Sequence, residues 1–125
     1  MNDQPPPQNP QPLDSGKITW AALLGHWVDF ARSALALPDD LESWRLRESV
    51  PDLIMLQAVC FALEHLQKLD VAEQALGLDR AAILIRKHTD ALRRRWEENS
   101  PPDRIIELLA DAADHLQAAE AARPT

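Results

Sequence analysis

The stretch from Val50 to Leu69 restricts the fold more than any other part of this sequence. At helical pitch its apolar side chains fill most of the circumference, and its few polar residues share one narrow strip: Gln57, Glu64, Gln67 and Lys68. A helix that is apolar nearly all round must be buried on several sides. Because Asp52 interrupts the stretch, it is too short to cross a bilayer. We predict the central helix of a small bundle that does not enter the membrane.

The composition of the whole chain favours helices over strands. Its 125 residues include three glycines and no tyrosine, and alanine and leucine are abundant after the first sixteen positions. A chain of this length has room for one domain with its own core. We predict an all-α fold, in which residues 1–16 form a disordered Pro/Gln-rich tail and residues 17–125 form a single antiparallel four-helix bundle.

Apolar periodicity and chain-breaking residues divide the domain into helices. The predicted helices lie near residues 19–37, 50–69, 79–98 and 102–121. Pro38 is expected to end the first helix. Gly77 has the position of a helix stop, so residues 70–77 are predicted to form a short elbow before Asp79 caps the third helix.

Capping residues predict where the other three helices begin. Thr19 can accept a hydrogen bond from a free amide at the start of the first helix. Ser49 and Asp52 have the spacing of a reciprocal cap at the start of the second helix. Ser100, with Asp103 three residues later, is expected to cap the fourth helix in the same way.

Two segments contain the same residues in the same order. Trp44–Gln67 and Trp96–Gln117 each have a tryptophan, then Ser-x-Pro-Asp, then an acid-His-Leu-Gln ending. One interpretation is that the bundle consists of two related helical hairpins. The other is that capping residues and bundle composition have converged on the same letters.

The net charge and the cysteine content limit which binding partners and which cellular compartment we expect for this protein. The formal net charge of -7 disfavours nonspecific binding to nucleic acid or to anionic membranes. With Cys60 as its single cysteine the chain cannot form an internal disulfide. The first twelve residues have neither the basic start nor the apolar core of a signal peptide, so we expect a cytoplasmic protein.

The histidines raise the question of a metal site, because each predicted helix carries one: His26, His65, His88 and His115. In helical bundles, metal sites are built from carboxylates and histidines that face the core. Here His88 alone lies in the centre of an apolar stripe, and no Glu-x-x-His spacing occurs. We therefore expect no metal ion and no other cofactor.

A small polar pocket is a second hypothesis for a ligand site. His88 and Arg95 lie two turns apart on one face of the third helix, and tryptophans flank the same level of the bundle. Such a pocket would suit an anion, and its candidate residues are His88, Arg95, Trp27 and Trp96. The simpler interpretation is that His88 is a core histidine that bonds to another group of the protein.

The third helix also carries a row of basic residues. Arg80, Lys87 and Arg94 repeat every seven positions and could follow a line of phosphates. Acidic residues interleave on the same helix, and the acids of the fourth helix are the expected intramolecular partners of the row. No aromatic interleaving or recognition-helix pattern accompanies it, so nucleic-acid binding is the least favoured hypothesis.

A non-enzymatic interaction module is the leading functional hypothesis. The sequence has no nucleophile elbow, glycine-rich phosphate loop or Cys-His spacing on which catalysis could be based. The second helix has more apolar perimeter than three neighbours normally cover, and such surface serves self-association or a protein partner. The residues expected at this surface are Ile54, Met55 and Phe61. Anion binding near His88 and Arg95 is the alternative from a different class.

Overall fold

The computed structural model describes residues 18–34, 44–98 and 100–123, leaving aside the side chains of residues 44 and 45. These ranges form four α-helices, α1 (Trp20–Ala34), α2 (Trp44–Glu64), α3 (Val71–Arg95) and α4 (Asp103–Ala121), and one 3-10 turn at Leu66–Lys68. No strand occurs within them, so the predicted all-α class is confirmed. The predictions for the tail at 1–16, for the end of the first helix at 35–38 and for the connector up to 43 lie outside the described residues.

The helices follow one another in antiparallel order, as predicted. Asp52 near the start of α2 bonds to His88 near the end of α3, and Asp79 near the start of α3 faces Arg123 just beyond α4. Successive rings along α1 contact successively earlier rings at the end of α2, so these two helices are antiparallel as well. Consequently α1 and α3 run in one direction and α2 and α4 in the other. No helix in the described part of the chain is long and apolar enough to span a membrane.

Helix α2 is the centre of the bundle, which confirms the prediction made from its apolar circumference. It packs along α1, α3 and α4, whereas α1 and α3 touch only over a short length. The largest of its fully buried side chains are Leu53, Leu56, Val59 and Cys60. Burial of such side chains stabilises a fold by roughly 1.5–3 kcal/mol each, so α2 supplies much of the hydrophobic stabilisation.

Helix α2 begins before Ser49, so the predicted cap at that residue is wrong. Ser49 lies inside the helix, is fully buried, and directs its hydroxyl across to α3 instead of to an amide of its own helix. Pro51 also lies inside α2. The helix passes through these residues because Ser49 and Asp52 find their partners on α3.

Helix α3 runs without interruption through Gly77, so the predicted elbow at 70–77 and the cap at Asp79 are wrong. Asp70 caps this helix, as the capping pattern of residues 70–73 predicts, and its carboxylate accepts a 2.9 Å hydrogen bond from the Glu73 amide. Gly77 is buried beneath the indole of Trp20, and a Cβ at this position would lie 2.6 Å from Trp20 Cε3. This glycine therefore allows α1 to approach α3 closely.

The starts of α1 and α4 differ in how they are capped. Thr19 Oγ1 accepts a hydrogen bond from the Ala22 amide, which confirms its predicted role. The Trp20 amide donates a 2.7 Å hydrogen bond to Glu73 Oε1, so α3 helps to hold the start of α1. Ser100 does not cap α4, because Pro102 occupies the capping position and makes no side-chain hydrogen bond there.

The two matching sequence segments adopt different local structures. Ser49 and Pro51 lie inside α2, whereas Ser100 and Pro102 precede α4. The shared His-Leu-Gln ends α2 and enters the 3-10 turn in one segment, but it lies within α4 in the other. The duplication of a hairpin stays a prediction, and this motif does not mark equivalent helix starts.

Candidate functional site

A polar cluster joins α2 to α3 at one end of the bundle. Asp52, which is 8% exposed, accepts a 2.7 Å hydrogen bond from His88 Nδ1 and a 2.9 Å bond from Arg95 Nη1. Beside it, Ser49 Oγ accepts a 3.1 Å hydrogen bond from Trp96 Nε1. Each of these contacts crosses between the two helices, so the cluster sets their relative position.

Three of the four predicted ligand residues meet in this cluster. His88, Arg95 and Trp96 are all half-buried there. Trp27 is not with them, because it packs against Phe61. Along α2, Phe61 lies about 14 Å from Asp52 at 1.5 Å per residue. The role of Asp52 in this cluster was not predicted from the sequence. The signal was present, since an acid inside an apolar helix needs a buried cationic or hydrogen-bonding partner.

Trp27 belongs to an aromatic cluster between α1 and the end of α2. Its ring stacks on His65 at a centroid distance of 4.8 Å and lies 5.0 Å from the ring of Phe61. Its indole nitrogen is buried and has no hydrogen-bond partner among the described residues. The aromatic cluster thus uses Trp27 for packing between helices.

The apolar residues most exposed to solvent are not those predicted on α2. Ile54, Met55 and Phe61 are each half-buried by neighbouring helices. The large apolar side chains that are exposed lie on the three outer helices: Phe30, Val71, Leu76, Ile83 and Ile106. Ile83 is 67% exposed and is the most accessible of them.

Ile83 stands at the edge of an open groove between α1 and α3. The groove has a volume of about 840 Å³, and its lining is mainly apolar. Helices α1 and α3 meet closely where Trp20 covers Gly77 and leave the groove between them farther along. Gly25 lies in the wall formed by α1, and a Cβ there would meet nothing within 4 Å. We call this the α1/α3 groove; its lining also includes Ala21, Val28, Arg32 and Arg80.

The basic residues of α3 begin at the α1/α3 groove, where Arg80 belongs to the lining, and continue beyond it towards the end of the helix. The predicted row of Arg80, Lys87 and Arg94 is exposed, and three further cations are nearby in sequence: Arg86, Arg93 and Arg95. Apart from Arg95, which bonds to Asp52, none of these cations forms an ion pair within the described residues. The expected pairing of the row with acids of α4 is therefore wrong for this part of the chain, because α4 faces α2 more than α3.

A charged pair on the surface links α2 to α4. His115 donates to the Asp111 carbonyl through Nδ1 at 2.7 Å and to the Glu64 carboxylate through Nε2 at 2.6 Å. Burial is the largest single influence on the pKa of His115 and lowers it. The two hydrogen bonds and the negative charges of Glu64 and Asp111 together outweigh burial, so the pKa of His115 is raised above its ordinary value of 6.5.

Replacing His115 with glutamine is expected to make stability less dependent on pH. A raised pKa in the folded state stabilises the fold fully below the unfolded-state pKa, and this contribution is lost as pH rises through the folded-state pKa. The pair is partly exposed, so the effect should stay below about 1 kcal/mol. Urea denaturation at about pH 6 and about pH 9 should show a larger difference between wild type and variant at the lower pH. This explanation would be contradicted if the stability difference between wild type and His115→Gln did not depend on pH. It would also be contradicted if the same difference appeared when both proteins carried Glu64→Gln.

Cys60 and the histidines are the remaining side chains that could act as a nucleophile or as metal ligands. Burial, together with the negative charges of Asp111 and Glu64, raises the pKa of the Cys60 thiol to about 12. At neutral pH this cysteine is therefore a protonated packing residue and not a nucleophile. Within residues 18–34, 44–98 and 100–123, no three His, Cys, Asp or Glu side chains are grouped so that they could hold a metal ion.

Comparison of the chain with known protein families, characterised proteins and solved structures finds no match. A functional assignment therefore depends on the surfaces of the molecule. The polar cluster is satisfied by its own members, whereas the α1/α3 groove is open and apolar. The groove is the stronger candidate for a functional site.

Proposed function

We propose that this protein is a non-enzymatic interaction module that binds a helix of another protein molecule in the α1/α3 groove. The observation that carries the proposal is the groove itself, about 840 Å³ of open space beside an Ile83 side chain that is 67% exposed. Contiguous exposed apolar surface with a polar rim is typical of protein-binding sites. A groove between two helices has the shape that an amphipathic helix fills.

The wall of the groove supports a helical occupant. Gly25 costs helix α1 about 1 kcal/mol relative to alanine, yet no neighbour within the described chain needs the space that it leaves. Ala21 is one turn away on the same wall. Small residues at this spacing let the backbone of a second helix come close, which increases the contact area.

Anion binding by the polar cluster has less support. Arg95 would have to attract the anion, but its guanidinium already donates to Asp52, whose carboxylate offsets its charge. His88 is held by the same carboxylate. An incoming anion would have to compete with a buried hydrogen-bonded pair, which is costly to break.

The proposal is tested by selecting helical peptides from a displayed library against the full chain. Selected peptides are expected to bind the wild type and to bind the Ile83→Glu variant at least about tenfold more weakly, because a carboxylate at the groove edge would be desolvated. Val71→Glu is the matched control, since Val71 is 65% exposed on the same helix and does not line the groove. Recovery of no helical binders, or of binders insensitive to Ile83→Glu, would refute the proposal.

A further inference from the structure

The outer face of α4 has the chemistry that the α1/α3 groove requires. Ile106, which is 49% exposed, is followed at helical spacing by the exposed Ala110 and Ala113. These three residues form an apolar strip, which we call the α4 strip. Exposed acids border it: Asp103, Glu107 and Asp114. None of these acids forms a side-chain ion pair within the described residues.

We propose that the groove binds the α4 strip of a second copy of this chain, so that the protein assembles head to tail. This inference rests on the proposed function, because it names the occupant of the same groove. The α4 strip of one copy would lie against Ile83 and Gly25 of the next.

Charge complementarity supports this occupant over a helix of neutral or basic character. Arg80 lines the groove, and the acid in the lining, Asp29, is already paired with Arg32. Four more exposed cations follow Arg80 along α3, and none of the five has an ion-pair partner among the described residues: Arg80, Arg86, Lys87, Arg93 and Arg94. The opposite charges are the three acids that border the α4 strip, and they too form no ion pair among the described residues. Opposite charges that remain unpaired inside one molecule can pair between two molecules, where they orient the contact.

The dimensions of the two surfaces also agree. The acids that border the α4 strip, from Asp103 to Asp114, cover about 16 Å at 1.5 Å per residue. The wall of the groove on α1, from Trp20 to Arg32, covers about 18 Å on the same measure. Alanines on the α4 strip and Gly25 in the groove wall would allow the helix axes to approach within the usual 8–10 Å.

The α4 strip cannot enter the groove of its own molecule, since α4 is packed on α2 while the groove lies between α1 and α3. The groove and the α4 strip are different surfaces, so each copy offers one of each. Contacts of this kind are heterologous, and they generate rings or open chains of subunits.

The inference is tested by sedimentation velocity of the full chain over a wide range of concentrations. The wild type is expected to show an average mass that rises with concentration beyond that of a dimer. Gly25→Trp fills the groove at an open, exposed position, and Ile106→Lys places a cation in the α4 strip. Each variant alone should associate at least about tenfold more weakly than the wild type. Val71→Lys, outside both surfaces, should behave as the wild type does.

An equal mixture of the two variants provides the decisive measurement. One variant retains only the α4 strip and the other only the groove, so the mixture is expected to form a one-to-one dimer that grows no further. A wild type that stays monomeric, or a mixture that stays monomeric, would overturn the inference. A symmetric dimer that survives Ile106→Lys would also overturn it, because the groove would then pair with itself.

Failure of this inference is distinguishable from failure of the proposed function. If the wild type is monomeric but selected helical peptides bind in a way that Ile83→Glu abolishes, the groove binds a different partner. If those peptides fail as well, the groove is not a docking site and both proposals are refuted.

Discussion

Replacing Asp52 with alanine is expected to lower the free energy of unfolding by about 3 kcal/mol, because it leaves two partly buried cationic or hydrogen-bonding groups without their partner. His88 Nδ1 and Arg95 Nη1 both bond to this carboxylate, and the side chain of Asp52 is only 12% exposed. Urea denaturation of the two proteins measures the difference. The urea concentration at the midpoint of unfolding should fall, while the slope of the free energy of unfolding against urea concentration should stay nearly unchanged.

Asp90→Ala is the matched control for loss of one negative charge. Asp90 is exposed on α3 and lies outside the polar cluster, so its removal should change stability by less than about 0.5 kcal/mol. A second comparison separates the cost of burying these polar groups from the cost of leaving them unpaired. Replacing Asp52, His88 and Arg95 together with apolar residues should destabilise less than Asp52→Ala alone, because no unpaired polar group remains. If Asp52→Ala costs no more than the control, the cluster does not hold α2 against α3.

Replacing Gly77 with alanine is expected to lower the free energy of unfolding by up to about 2 kcal/mol, although alanine is the better helix former. The added Cβ would lie 2.6 Å from Trp20 Cε3 and 3.2 Å from Leu66 Cδ1. Trp20 is 2% exposed, and its rigid indole cannot move without disturbing the core. Overpacking of this kind costs about 1–3 kcal/mol, which outweighs the gain in helix propensity of about 1 kcal/mol.

Gly25→Ala is the matched control, and it is expected to have the opposite sign. Both glycines lie inside helices, but a Cβ at Gly25 meets no atom within 4 Å. The substitution should therefore raise the free energy of unfolding by about 0.5–1 kcal/mol through helix propensity alone. Thermal and urea denaturation of the two variants give the comparison. Equal effects at both positions would contradict the close approach of Trp20 to Gly77.

Local sequence patterns were sufficient to predict that there are four helices in the described chain and which of them lies at the centre, but not where each helix begins. The apolar circumference of residues 50–69 required burial on several sides, and α2 is indeed packed along all three other helices. Thr19 was also identified correctly as a cap, since its partner is three residues away. These features depend on residues close in sequence, so spacing alone reveals them.

The role of a candidate site residue depended on partners far along the chain. His88 and Arg95 were identified from their shared helix face, but the acid that holds them is more than thirty residues away. Ser49 and Asp52 have the spacing of a cap, and the same spacing serves equally well to direct both side chains to a neighbouring helix. No local pattern distinguishes the two uses.

By itself the sequence determined an all-α chain, the burial of α2 and the antiparallel order of its helices, because periodicity and short connections act locally. Only the tertiary structure decided that Gly77 lies beneath Trp20 within a continuous helix, and that α1 and α3 leave an open groove beside Ile83. It also decided that the basic row of α3 finds no acids of α4 to pair with in the described chain. Each of these outcomes depends on how closely and at what angle two helices approach, which is a property of their packed surfaces.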